Sequence, residues 1–95
     1  EQYRTPGHCT VCPDLVVEVI FPDDVLSAVS RKRKEWLAAG ARLVWVIDPL
    51  DETVQVYKPA ARPALLTADD TLTGEPVLPG FAVPVADLFH LPTAP

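Results

Sequence analysis

Methionine is absent, cysteine occurs twice, and basic residues are outnumbered by acidic ones, 8 to 13. The resulting net charge of -5 argues against broad, non-specific association with nucleic acid, because such affinity comes mostly from lysine and arginine on phosphates. The cysteines, Cys9 and Cys12, form C-T-V-C just after His8. A structural zinc site needs four ligands, and the one further candidate, His90, is distant in sequence. A redox pair should open a helix, yet Pro13 and a strand pattern follow, so the two thiols are taken as an incidental pair. No apolar run approaches the roughly 20 residues of a bilayer-spanning helix, and no basic-then-apolar leader is present. The expectation is a soluble, cytoplasmic protein. Internal repeats and low-complexity segments are also lacking. Since the sequence opens on Glu1, that residue is taken as a fragment boundary.

What is present amounts to a single small domain of 95 residues, near the lower end of what buries an adequate core. Eleven prolines, most of them after Ile47, predict a second half of short extended pieces and turns. The stretch 13–40 organises the rest. Residues 14–21 form a near-continuous β-branched run, as in the centre of an α/β sheet buried on both faces. Alternation puts Asp14, Val16, Glu18 and Ile20 on one face and Leu15, Val17, Val19 and Phe21 on the other. From Leu15 to Phe21 the one polar residue is Glu18, and a carboxylate there is costly unless a cation, a metal or hydrogen bonds meet it.

Pro22 ends this strand, Asp23 or Asp24 is expected to cap a helix, and Gly40 supplies its left-handed stop. On the helical wheel, with Val25 at zero, Trp36 falls at about 20° and Val29 at about 40°, Lys32 at about -20° and Arg33 at about 80°. Two members of the basic block Arg31, Lys32, Arg33 and Lys34 thus reach the apolar stripe, and the wheel does not choose between them. The plain reading of such a block is a solvated helix face.

Residues 42–47 are a second strand, closed by Asp48-Pro49, so strand, helix and strand make a parallel crossover. Residues 53–57 alternate as the return arm of a hairpin, with Val54 and Val56 facing one layer and Tyr57 the other. Residues 64–67 are expected as an edge strand, Asp69-Asp70 as a turn, 75–85 as an extended segment, and 85–89 as a helical turn over the sheet edge.

The ordered series P-D-L-V-V-E-V-I, K-R-K-E-W-L-A-A-G-A-R-L-V-W-V-I-D-P, T-V-Q-V-Y and L-P-G-F resembles the Uma-two family of restriction endonucleases. The resemblance implies a PD-(D/E)xK nuclease fold: a mixed sheet flanked by helices, with acidic residues on strands holding a divalent metal. It carries the family's strand carboxylate onto Glu18 and its active-site lysine onto Lys32, four residues before Trp36. The implied activity is Mg2+- or Mn2+-dependent hydrolysis of DNA phosphodiesters, with Glu18 and Lys32 catalytic and Glu18 and Asp14 as candidate metal ligands. Asp14, however, lies about 13 Å from Glu18 along an extended chain and cannot share its ion without a bend.

The sequence also departs from the family pattern. The family's first metal carboxylate sits on an upstream strand, preceded by an N-terminal helix that often carries a further acid, none of which these residues contain, and Phe21 stands where members usually have serine. The chain is therefore expected to be the C-terminal half of the domain, with the N-terminal part of the fold missing. The alternative to an endonuclease is a non-catalytic remnant that acts as an oligomerising or interaction module. A homodimer is expected on either reading, because a strand as apolar as 15–21 needs cover. Glu18 and Lys32 are expected to meet across the strand–helix interface, and if that pair is dry, Lys32→Ala should cost about 3 to 5 kcal/mol.

Overall fold

The computed structural model describes residues 12–90. Strand β1 (Leu15–Val19) leads through a short turn into helix α1 (Leu26–Ala39), which returns the chain to β2 (Leu43–Asp48). A hairpin gives β3 (Thr53–Tyr57), followed by β4 (Ala64–Leu66), β5 (Thr71–Gly74), β6 (Leu78–Pro84) and the single turn α2 (Ala86–Phe89). The main sheet has the order β1-β2-β3-β4, with β5 and β6 forming a separate two-stranded sheet. β1 pairs parallel with β2, Glu18 opposite Val46, and the remaining pairs are antiparallel. This is the expected mixed α/β sheet with its crossover and hairpin.

Alternation along β2 explains the layers. Val44 and Val46 pack with Val16 and Ala41 beneath α1, joined by half-buried Ile20, Val29, Trp36, Leu37 and Tyr57. Leu43 and Trp45 point the other way and pack with Val54, Leu72 and Val85. That second core is closed by β5, β6 and α2. Leu88 and Phe89 pack into it, and α2 lies chiefly against β6. Val54 and Val56 face this layer and Tyr57 faces α1, as the alternation in β3 requires.

Two local expectations are corrected. The cap of α1 is Val25 in an extended conformation with no side-chain cap bond. Asp24 instead turns back, its Oδ2 accepting the Phe21 N–H at 2.8 Å, so the competing local turn takes the carboxylate that the helix end would have used. β1 is not buried on both faces. Val16 is buried, whereas Val17 and Val19 are 48% and 40% exposed, because among the described residues no strand pairs with the far edge of β1. Gly40 ends α1 as expected, at φ 119°, with its N–H donating to Leu37 and that of Ala41 to Trp36.

Cys12 packs half-buried against the helix-side core, and Cys9 lies outside the described residues. Among the described residues no helix is long and apolar enough to cross a membrane.

Candidate active site

Glu18 is the fourth residue of β1 and lies on the face that α1 covers. Because β1 and α1 are joined by a short turn, the helix runs back over the strand it follows. The turns carrying Lys32 and Trp36 consequently pass above Glu18. Lys32 Nζ lies 3.4 Å from Glu18 Oε1, and Trp36 Nε1–H donates to Glu18 Oε2 at 3.2 Å. Each carboxylate oxygen thus has one partner, one cationic and one neutral. The Glu18 side chain is 21% exposed and that of Lys32 49%, so the pair is neither dry nor fully solvated.

The pair opens onto a cleft of about 500 Å³ whose walls include Val19, Phe21, Val25 and Val29 and whose third polar side chain is Asp24. Its size falls within the range of small-molecule and cofactor pockets. The structure settles what the helical wheel left open. Lys32 turns to Glu18, while Arg33 turns to the other flank of α1, its guanidinium 4.2 Å over the Tyr57 ring and donating to Ser30 Oγ at 3.1 Å.

Asp14 does not join this group. It is exposed and absent from the cleft lining. Its backbone carbonyl accepts the N–H groups of Arg42 and Leu43, and it precedes the paired stretch of β1 from Leu15 to Val19.

Two members of the site were not singled out from sequence. Trp36 was assigned to the apolar stripe, yet a half-buried indole N–H needs an acceptor, and its near-coincidence with Lys32 on the wheel was the available signal. Asp24 was assigned to the helix cap, and no periodicity could place it in the cleft.

Magnesium is held by one or two carboxylates together with water and substrate oxygens. Glu18 and Asp24 line one cleft, and no group of three or more His, Cys, Asp or Glu side chains suited to a metal gathers among the described residues. Two carboxylates on one cleft are a donor set for a cation that keeps most of its ligands as water and substrate oxygens, not for an all-protein cage.

Comparison with known proteins bears on this arrangement. A family model, Uma2, described as "Putative restriction endonuclease", matches residues 1–86. A crystal structure at 1.96 Å of a "putative nuclease belonging to DUF820" from Anabaena variabilis ATCC 29413 is similar over 83% of this chain, with a TM-score of 0.76 and 26% sequence identity. The chain spans 45% of the length of that nuclease. No curated protein matches.

Proposed function

Because the chain belongs to the Uma2 family of restriction-endonuclease-like proteins, we propose that it is a metal-dependent endonuclease-type domain acting on DNA phosphodiesters, with Glu18 and Lys32 as its catalytic residues. The observation that carries this reading is the 3.4 Å approach of Lys32 Nζ to Glu18 Oε1 at an open cleft that also holds Asp24. Glu18, with Asp24, would hold Mg2+ or Mn2+. Asp14 is left out, for it does not line the cleft. When bound, the ion lowers the pKa of a coordinated water and offsets charge on the phosphate.

The chain's own groups have separable tasks. Trp36 and Lys32 fix both oxygens of Glu18 and so set the direction in which its free lone pairs point. The exposed half of Lys32 leaves ammonium N–H groups directed to the cleft, where they stabilise charge growing on a phosphate oxygen. Val19, Phe21 and Val25 form the apolar part of the cleft wall around these groups. Nicking of supercoiled DNA with Mg2+ or Mn2+ tests the proposal. Wild-type chain should nick, and Glu18→Ala should abolish nicking. Absence of metal-dependent nicking by folded wild-type protein would refute the catalytic reading.

A second reading, self-association, is favoured by β1. Its outer edge has no strand partner among the described residues, and Val17 and Val19 remain exposed. The occupant proposed for that edge is a second copy through a two-fold axis, the commonest symmetry of oligomers. Sedimentation at micromolar concentration should show a dimer, and a compact monomer would reject it.

A further inference from the structure

On the flank of α1 away from Glu18 lies a second cleft, of about 260 Å³, floored by Ile20 and Val46 and lined by Ser30, Arg33, Gln55 and Tyr57. Its chemistry is one-sided. The Arg33 guanidinium lies over the Tyr57 ring, and of its five N–H donors one goes to Ser30 Oγ. Among the described residues no carboxylate pairs with it and no other acceptor takes the remaining donors. The Tyr57 O–H donates to Gln55 Oε1, which occupies the acceptor end of that amide and leaves its NH2 group to donate. Ser30 accepts from Arg33 and keeps its own hydroxyl hydrogen. Three side chains therefore offer donors, one of them a half-buried cation, and none offers a negative charge.

We infer that this cleft is an anion subsite that takes a phosphate group of a nucleic-acid backbone, beside the one engaged at Lys32. Its preference for an oxyanion rests on the cleft alone. The assignment of that anion to nucleic acid rests on the endonuclease reading. Val29, packed beneath α1, lines both clefts, so the two open on opposite flanks of the helix. Lys32 and Arg33 are sequence neighbours with Cα atoms about 3.8 Å apart and side chains diverging by about 100°. A polyanion passing around the N-terminal turns of α1 meets Lys32 on one flank and Arg33 on the other. The contact with Tyr57 and the bond to Ser30 restrain the guanidinium before any ligand arrives, and its planar fork suits two phosphate oxygens at once.

The test is binding of a short labelled oligonucleotide to the full chain in metal-free buffer over a range of salt, so that no cleavage occurs. Wild-type chain should bind at low salt. Arg33→Gln should weaken binding roughly tenfold and flatten the dependence of log affinity on log salt by about one phosphate contact. Arg33→Lys, which keeps the charge but not the fork, should keep the slope and lose several-fold in affinity. Circular dichroism and melting establish that each variant is folded. If Arg33→Gln does not fold, Arg33→Lys decides, and wild-type affinity in the folded lysine variant overturns the subsite. Unchanged affinity and slope in folded Arg33→Gln would mean that Arg33 merely holds helix to sheet, and failure of wild-type chain to bind at low salt would overturn the subsite as well. Inorganic phosphate is the second probe. Competition by it at the oligonucleotide's own affinity would identify free phosphate, not a nucleic acid, as the ligand and overturn the backbone assignment. Nicking measured in parallel separates the two ideas. An altered slope without nicking by wild-type chain leaves the subsite standing and sinks the catalytic reading, whereas nicking with an unaltered slope does the reverse.

Discussion

Lys32→Ala should cost the fold about 1 kcal/mol, well short of the 3 to 5 kcal/mol that orphaning a dry charge brings. At the observed 3.4 Å, Coulomb attraction is roughly 1.2 kcal/mol at the dielectric constant of water and roughly 5 kcal/mol at an effective value near 20. Two features place the net near the lower figure. Half of the Lys32 side chain is in solvent, so its charge is screened and its removal leaves little buried space. Glu18 is not orphaned either, since the Trp36 N–H remains on Oε2 at 3.2 Å.

Urea unfolding at pH 7 provides the assay. With a slope of about 1 kcal/mol per molar for a small domain, the midpoint should fall by about 1 M. A double-mutant cycle of Lys32→Ala and Glu18→Gln should give a coupling of about 0.5 to 1 kcal/mol, decreasing in 1 M salt, where the screening length is about 3 Å. A coupling of 3 kcal/mol or more that ignores salt would show a dry pair and refute the exposure argument. A coupling of zero would show that the two groups do not meet in solution.

Trp36→Phe keeps the ring in the helix-side core but removes the N–H from Glu18, and should cost about 1 kcal/mol, with the Glu18–Lys32 coupling rising in the same cycle because the ammonium becomes the carboxylate's sole partner. Stability unchanged within error would mean that the indole bond is replaced by water at no cost. Gly74→Ala places a Cβ 2.7 Å from Leu78 Cβ and 3.2 Å from Phe81 Cβ. Because Gly74 and Leu78 are paired between β5 and β6, the clash should cost about 1 to 3 kcal/mol, and a thermal melt at or above wild type would refute it.

Elements held together by local rules were legible in the sequence. β1, α1, β2 and β3 follow from apolar runs, from the stop at Gly40 and from the turn at Asp48, whose Oδ1 accepts the N–H groups of Leu50 and Asp51. The meeting of Glu18 with α1 was legible too, since a short crossover leaves few ways to lay the helix on its strand. The wheel alone did not show which basic residue meets Glu18, because Lys32 and Arg33 flank the stripe and Tyr57, which attracts Arg33, comes from a strand far along the chain. It was the family resemblance that pointed to Lys32. The burial of β1 was misjudged for a different reason. Val17 and Val19 have the composition of a central strand, and composition does not reveal whether a neighbour lies alongside. The C-terminal elements were placed only roughly, for prolines mark where strands stop and not which layer they join.

The open edge of β1 and the intermediate dryness of Glu18 are two consequences of one fact, and this links the self-association prediction to the ion pair. Glu18 keeps 21% of its side chain in solvent on a strand that is paired along one edge alone among the described residues. A second copy pairing along the free edge would satisfy the unpaired backbone groups of β1 and cover Val17 and Val19. It would also exclude water from the flank of Glu18, lowering the local dielectric around the pair and raising the Glu18–Lys32 coupling. The cycle run at increasing protein concentration should therefore give a coupling that grows and loses its salt dependence over the range in which sedimentation shows dimer forming. Introducing a charge by Val17→Lys should hold the chain monomeric and the coupling at its dilute value, because Val17 lies on the sheet face away from α1 and leaves the pair itself untouched. Dimer formation with a constant coupling would place the interface elsewhere on the molecule and refute the assignment to β1.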